Sequence, residues 1–295
     1  MQKLVEREPA SGRSPFVAAP ALAVQFFLVP LAVVAVVVAI YAGFRVLLSE
    51  ERTPGDYLEE LMTGRGSARW VAAYQLSRAM GDPAVQRDAA LGRGLVAAFR
   101  ERPEDPRVRK YVALALGRLD PPPPGAVDAL VEGLQDADSD VRIAVIWALA
   151  AIGDPAAVAP LQRMYATDDA GIRKMVVYAL GRLPGDVQRG TLETALADSA
   201  PDVQWNAAVA LAERGDPAGI PVIRRMLDRA YLERTVTRSA RPDQAVDPIA
   251  EVLLSGVQAA AALKAAELRP ALETLSRGDR SLKVREAAAE ALGSR

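Results

Sequence analysis

The sequence contains neither cysteine nor histidine among its 295 residues. Without cysteine there is no disulfide bond, no thiolate nucleophile and no cysteine-ligated zinc or iron–sulfur centre. Without histidine there is no imidazole base, no serine–histidine–aspartate triad and no histidine-bound metal. Any catalytic site would therefore depend on carboxylates, lysine, tyrosine or serine.

An excess of charge of either sign is also absent, because 36 Lys and Arg residues face 37 Asp and Glu residues. Nucleic-acid-binding domains normally carry a basic face, so we expect no nucleic acid partner. The sequence has no phosphate-binding loop and no nucleophile elbow. Asp136, Asp138 and Asp140 alternate as at the start of a calcium loop, but the glycine and glutamate that such a loop needs are missing. We therefore predict a protein that is not an enzyme, with no catalytic, cofactor-binding or metal-binding residues.

One long segment near the N-terminus is free of charge, from Ser14 to Phe44. A membrane-spanning helix needs about 20 apolar residues. We predict one such helix over 23–48, after a tail over 1–22, with the lipid bilayer as its partner. A cleaved signal peptide and a buried soluble helix are the alternatives, but the run is longer than the apolar region of a signal peptide. The predicted location is the cell inner membrane, as a single-pass protein.

Basic residues flank this segment almost evenly. Three precede it and three follow it: Lys3, Arg7, Arg13, Arg45, Arg52 and Arg65. Cytoplasmic flanks are enriched in such residues. The closer spacing of the first group weakly favours a cytoplasmic N-terminus.

A repeated frame of helical spacing follows a short linker predicted over 49–66. Apolar residues that we call anchors stand at Val108, Val141, Ile172 and Val203, at spacings of 33, 31 and 31 residues. Seven and eight positions after each anchor come alanine and leucine. Val284 opens another copy of this frame. A weaker copy is placed on Ser255, after a polar insertion near 229–247.

Each unit continues with a second amphipathic segment. Gly153-Asp154-Pro155 separates the two segments in one unit and Gly215-Asp216-Pro217 in another. In such a turn glycine ends the first helix, aspartate caps the second, and proline occupies its first turn. A hairpin of this size cannot bury its apolar face alone, so we predict an all-α solenoid of about seven stacked hairpins over 67–295, preceded by one transmembrane helix.

The pattern around 138–161 resembles the short bacterial HEAT repeat. It reads Asp-x-x-Val-Arg, then Ala-Leu, then Gly-Asp-Pro-x-Ala-Val. This resemblance covers about three quarters of the chain, and it implies a scaffold that binds another protein, with an accessory role in a membrane complex as a refinement. The alternative is a lyase-type repeat protein that acts on a bilin or a similar pigment. A DNA-repair role, also known among such repeats, conflicts with the near-neutral charge.

Charged residues recur at the start of each predicted first helix. Arginine follows the anchor in most copies, and aspartate precedes it by three positions in several. We interpret them as a structural ladder between neighbouring units, and a charged ligand-binding row is the alternative. These residues are Asp105, Arg109, Asp138, Arg142, Asp169, Arg173 and Arg285.

Aromatic and cationic side chains supply the candidates for partner binding. Tyrosine or tryptophan recurs six positions after Val141, after Ile172 and after Ala68, which opens another weak copy of the frame, and Trp205 lies two positions after Val203. Tryptophan, tyrosine and arginine are enriched in interface hot spots; packing between hairpins is the alternative for the rings, and a solvated face for the arginines. The candidates are Tyr74, Trp147, Tyr178, Trp205, Arg163, Arg224 and Arg225.

Overall fold

The computed structural model describes residues 29–48, 52–101, 103–236 and 247–293. The chain divides into two compact units, Met1–Arg52 and Thr53–Arg295. Within the described residues all regular elements are helical. The predicted tail 1–22, the start of the predicted membrane helix at 23–28 and residues 237–246 of the predicted insertion lie outside the described residues.

The first unit contains helix α1 (Val29–Leu48), which is 20 residues long. Its large apolar side chains are exposed, from 56% at Val33 to 68% at Tyr41. In the part of the chain that the structure describes, no helix meets the combined length and apolarity of a membrane span. The transmembrane helix expected over 23–48 is therefore not confirmed.

The second unit opens with helix α2 (Pro54–Thr63), inside the segment expected to be a linker. Thr53 and Asp56 form a capping box at its start, with Pro54 in the first turn. Leu61 is fully buried. Leu58 fills the space beside Gly94, where a Cβ would lie 2.4 Å from Leu58 Cδ2. Residues 54–63 thus pack with the solenoid, and the linker expected over 49–66 is shorter than predicted.

Two series of helices build the solenoid, with six hairpins and a final helix in the described residues. The first helices are α3 (Ser67–Ala79), α6 (Pro106–Leu116), α8 (Ser139–Ile152), α10 (Ala170–Arg182), α12 (Pro201–Glu213), α15 (Pro248–Leu263) and the final α17 (Leu282–Gly293). The second helices are α5 (Ala89–Arg100), α7 (Ala126–Gly133), α9 (Val158–Met164), α11 (Arg189–Ala195), α13 (Ile220–Met226) and α16 (Arg269–Gly278). Short helices α4 (Pro83–Gln86) and α14 (Arg229–Thr235) lie between them. The all-α solenoid is confirmed.

Turn chemistry sets the helix boundaries as the sequence predicts. Gly153 and Gly215 both adopt φ of 75°, in the left-handed region that ends a helix at little cost for glycine. Asp154 and Asp216 then cap a short 3₁₀ turn whose first residue is proline. The second helices follow directly.

The core runs between the two helix series. The repeated alanine and leucine are fully buried in α6, α8 and α10, for example Ala148 and Leu149. Consecutive first helices pack on one another along the array. A Cβ added at Gly117 would lie 2.6 Å from the Cα of Ala148, so glycine allows this close approach. Small residues at these positions therefore determine how tightly neighbouring units stack.

Helix α15 has a different register from the one expected. Its buried pair is Ala259 and Ala260, whereas Ala262 is exposed. Lys264 adopts φ of 49° at the end of α15, the place that Gly153 takes after α8. In α8 the left-handed residue comes 12 positions after the anchor Val141. The same distance counted back from Lys264 puts the anchor of α15 at Val252, three residues before the expected Ser255.

Helix α17 closes the array. Val284 and Ala288 on one face are fully buried, while Glu286 and Glu290 on the other are exposed. A terminal unit needs such a polar outer face, because no further unit covers it.

Candidate protein-binding surface

Arginines at the start of the first helices link neighbouring units. Arg109 Nε donates to Asp136 Oδ2 at 2.6 Å, and its Nη2 donates to Asp136 Oδ1 at 2.9 Å. Arg173 makes the same two bonds to Asp198, at 2.8 and 2.9 Å. In both cases the carboxylate belongs to the loop before the next first helix, so each pair ties two consecutive units.

The acids of this ladder are not the ones that the sequence indicated. Asp105, Asp138 and Asp169 accept backbone N–H groups at the N-termini of α6, α8 and α10, and so act as helix caps. The pairing acids lie five residues before the next anchor, as Asp136 and Asp198 do. This spacing can be read from the sequence. It does not reveal the role, because a helix-capping aspartate and an arginine-pairing aspartate are the same residue type.

Two further predicted ladder residues bond, within the part of the chain that the structure describes, to carbonyls of the preceding loop. Arg142 Nη1 donates to the carbonyls of Asp136 and Ala137, at 2.7 and 3.0 Å. Arg285 Nη1 donates to the carbonyl of Asp279 at 2.6 Å. Both therefore hold the loop that precedes their own helix.

Arg229 forms a ladder contact from inside the insertion. Its Nε and Nη2 donate to the carboxylate of Asp279 at 2.7 and 2.6 Å. The carboxylate of Asp279 is 1% exposed. Burial alone would raise the pKa of Asp279, but hydrogen bonds from Arg229 and the amide of Ser281 prevail and lower it. Sequence reasoning missed this role because Arg229 lies outside the repeat frame.

The Asp198 carboxylate receives the densest set of donors on the ladder. Tyr165 Oη donates to its Oδ2 at 2.8 Å, and the amide of Ala200 donates to its Oδ1 at 2.9 Å. The hydrogen bonds from Arg173 lower the pKa of Asp198 to about 2, against the opposing effect of burial. Burial and the bond to Asp198 raise the pKa of Tyr165 to about 12. The two shifts keep Asp198 ionised and Tyr165 protonated, which is the state in which the phenol can donate to the carboxylate.

All four predicted aromatic residues lie on first helices, and three of them have an arginine over the ring, which for Tyr74 is Arg78. The Tyr74 ring packs edge-on against Tyr111, with centroids 5.1 Å apart. The Arg118 guanidinium carbon lies 5.7 Å from the centroid of Trp147, and that of Arg182 lies 5.9 Å from the centroid of Tyr178. We call the side of the solenoid that the first helices α3, α6, α8, α10, α12, α15 and α17 form the first-helix surface.

A groove on the first-helix surface brings together Tyr178 and Trp205. Helices α10, α12 and α15 form its walls, and its volume is about 430 Å³. Tyr178 is 36% exposed, whereas Trp205 is 7% exposed and forms part of the wall. Val209 and Val252 add apolar lining. This groove is the part of the first-helix surface that could hold a partner side chain.

The cationic candidates lie apart from this groove, on the second helices. Arg224 pairs with Glu267 at 3.4 Å, and Arg225 donates to the side-chain oxygen of Gln204 at 3.0 Å. Arg163 lines a separate open depression between α7 and α9. The predicted set of seven therefore splits between two surfaces.

Among the described residues, no group of three or more acidic side chains is arranged to hold a metal ion. Nothing in these residues favours the lyase-type alternative.

Comparison with known proteins settles the family. The family model for HEAT repeats matches residues 92–181 and 168–241, which together make up half of the chain. The chain belongs to the HEAT-repeat family. HEAT-repeat solenoids are typically scaffolds for protein–protein interaction. None of the curated proteins compared with the sequence matches it significantly.

Several solved repeat structures resemble this HEAT-repeat chain at low identity. An archaeal HEAT-like repeats protein from Thermococcus onnurineus NA1 is 13% identical, with a TM-score of 0.45, over 82% of this chain and 97% of that one. A designed armadillo repeat protein in complex with the peptide (KR)4 is 18% identical, with a TM-score of 0.44, over 82% and 98%. Human deoxyhypusine hydroxylase in complex with glycerol is 19% identical, with a TM-score of 0.37, over 82% and 95%.

Proposed function

We propose that this HEAT-repeat protein is a non-enzymatic scaffold that binds another protein through its first-helix surface. The observation that carries the proposal is the groove between α10, α12 and α15, where an apolar lining is rimmed by charged side chains. A cleft of a few hundred Å³ with few polar groups is the usual form of a specific binding site. Tyrosine and tryptophan, which both line it, are the residues that most often dominate binding energy.

The second-helix arginines are weaker candidates for the main contact. Arg224 and Arg225 already bond to Glu267 and Gln204 within the solenoid. A partner would have to replace these bonds at a cost in free energy. In the groove, Tyr178 is 36% exposed and Arg182 contacts its ring.

We further propose that the apolar N-terminal segment tethers the scaffold to a lipid bilayer, as part of a single-pass inner-membrane protein. The charge-free run begins at Ser14, before the described residues, and continues into α1. The exposed apolar side chains of α1, such as Val33 and Ile40, need a cover other than water. A scaffold held in this way would act as an accessory subunit of a membrane complex.

A paired pull-down tests both parts. The full chain in mild detergent and a chain that begins at Thr53 are compared for a stoichiometric partner, together with the variants Tyr178→Ser and Arg225→Ser. We expect both chains to retain the partner, Tyr178→Ser to lose it, and Arg225→Ser to keep it. Loss with Arg225→Ser alone would assign binding to the second helices.

The tether has a separate test. The full chain should remain with membranes after washing at pH 11, whereas the chain from Thr53 should not. Protease added to sealed inner-membrane vesicles then reports the side on which the solenoid lies. Release of the full chain by the alkaline wash would contradict the tether without affecting the binding proposal.

A further inference from the structure

We propose that the groove binds a lysine or arginine side chain of the partner, and that this cation pairs with Glu251. The inference rests on the proposed function, because it specifies the chemistry of the segment that the scaffold binds. It starts from a pair of positions between units that form an ion pair at two other steps, and that hold an acid but no cation at this one.

A second row of ion pairs runs along the first-helix surface, distinct from the buried ladder. Lys110 Nζ lies 2.8 Å from Asp140 Oδ2, and Lys174 Nζ lies 3.3 Å from Asp202 Oδ2. In both pairs the lysine is two residues after one anchor, and the aspartate is the residue just before the next anchor. The same two backbone positions therefore meet at two steps of the array, α6–α8 and α10–α12. At the step between α8 and α10 they hold Ile143 and Gly171, which carry no charge.

At the step between α12 and α15, these positions hold Trp205 and Glu251. Trp205 is two residues after the anchor Val203. Glu251 comes just before Val252, the anchor that the left-handed end of α15 at Lys264 defines. Both residues line the groove. The acid is present, but tryptophan replaces the lysine.

The step between α3 and α6 shows how a tryptophan is accommodated at this position. Trp70 is its tryptophan, and the residue before the next anchor is Arg107, whose guanidinium carbon lies 4.7 Å from the centroid of the indole ring. A cation thus completes this step as well. Between Trp205 and Glu251 neither position supplies one.

Two carboxylates of the groove have no cation beside them in the part of the chain that the structure describes. The exposed carboxylate of Glu251 has no ion-pair partner among the described residues, and the exposed Glu213 at the other end of the lining has none there either.

The remaining lining charges do not compensate. Lys174 is already paired with Asp202, and Arg182 lies over Tyr178. Counting the described residues, the groove therefore offers an apolar wall next to carboxylates that have no ion-pair partner. A lysine or arginine side chain matches it, because the methylene stem can lie along Val209 and Val252 while the charged head remains at the rim.

The test uses the full chain in detergent micelles and a synthetic peptide array with one fixed central position. That position is Lys, Arg, Gln or Glu, and mixtures of residues occupy the flanks. We expect about tenfold more binding to the Lys and Arg sets than to the Gln set, as a charge-assisted contact would give. Glu251→Gln should remove this preference, and Glu251→Lys should transfer it to the Glu set.

Asp140→Asn is the matched control, because Asp140 occupies the same position in a step whose lysine is present. It should leave the preference unchanged, and circular dichroism should show that all variants are folded. Equal binding to the Lys and Gln sets, or an equal loss with Asp140→Asn, would overturn the inference.

Other occupants give different results. Stronger peptide binding after Arg238→Ser and Arg241→Ser would assign the groove to the chain's own insertion. A dimer that Glu251→Lys dissociates would assign it to a second copy. Either result overturns the inference. A natural partner retained in full by Glu251→Lys but lost by Tyr178→Ser would overturn it while leaving the proposed function intact.

Discussion

The guanidinium of Arg173 and the carboxylate of Asp198 face each other across the boundary between two HEAT repeats, joined by two parallel hydrogen bonds of 2.8 and 2.9 Å. The same guanidinium also donates from Nη1 to the carbonyls of Thr167 and Asp168, at 3.0 and 2.9 Å. One arginine therefore fixes the loop before its own helix and the loop before the next. Contacts of this kind make the stability of each repeat depend on its neighbour.

Replacement of Asp198 by asparagine should destabilise the solenoid. The carboxylate is 5% exposed and accepts bonds from Arg173, Tyr165 and Ala200. Loss of its charge weakens all of these bonds, with an expected cost of about 2 kcal/mol in the free energy of unfolding. Urea unfolding followed by circular dichroism measures it.

The matched control for this variant is Asp140→Asn. Its partner Lys110 is 35% exposed and Asp140 itself is 66% exposed, so water screens the pair. We expect a change below about 0.5–1 kcal/mol. Equal losses in the two variants would mean that burial of the ladder contributes nothing to stability.

The stability of the solenoid should fall in acid over a defined range of pH. The pKa of Asp198 is lowered from its usual 3.8 to about 2 in the folded chain. The folded state therefore binds this proton less readily than the unfolded state, so the stabilisation is complete above the unfolded pKa and is lost as pH falls through the folded pKa. Unfolding free energies measured from pH 5 to pH 2 should show a shallower slope in Asp198→Asn. An unchanged slope would contradict the assignment of the shift to Asp198.

Close packing of the first helices should make Gly117 intolerant of even one methyl group. A Cβ there would lie 2.6 Å from Ala148 Cα and 2.8 Å from its Cβ, which are backbone and near-backbone atoms that cannot move aside. We expect Gly117→Ala to cost about 1–3 kcal/mol by overpacking. Thermal unfolding of the variant measures this cost.

Gly190→Ala provides the comparison within the same chain. Gly190 lies in helix α11, and a Cβ there would meet no atom within 4 Å. Alanine in a helix is favoured over glycine by roughly 0.5–1 kcal/mol, so this variant should be as stable as the parent or more stable. Destabilisation of both variants to the same degree would refute the close-packing argument.

The fold was predictable from the sequence because each repeat carries its own turn and core signals. Gly153 and Asp154, with Ala148 and Leu149, indicate a helix end, a cap and a buried pair without reference to the rest of the chain. The α15 register was not predictable in this way. Lys264 takes the left-handed position that glycine occupies elsewhere, and the Ala-rich end of α15 offers several equivalent buried pairs.

The candidate site was predictable in part, for a physical reason. Periodicity locates Tyr178 and Trp205 on first helices, but not the groove between them, because the groove depends on the spacing of three helices. The significance of Glu251 depends on its register relative to Trp205, which the structure supplies. Short-range patterns cannot assign the acids of the ladder either, since Asp136 and Asp138 are alike until their hydrogen bonds are seen.

Arg229 should hold the terminal helix in place, even though it belongs to the insertion. It contributes the guanidinium to a buried pair with Asp279, in the loop before α17. Arg229→Ala would leave the Asp279 carboxylate buried and unpaired, and removal of one partner of such a pair costs about 3 kcal/mol. We therefore expect amide hydrogen exchange across Leu282–Gly293 to become at least tenfold faster.

Exchange in α6 and α8, which lie far along the array, should change little. Arg277→Ala is the control, because its side chain is 79% exposed and its one ion pair among the described residues is with Glu273 of the same helix. If exchange in α17 rises equally in both variants, or in neither, the insertion does not anchor the end of the solenoid and the terminal helix is held by Val284 and Ala288 alone.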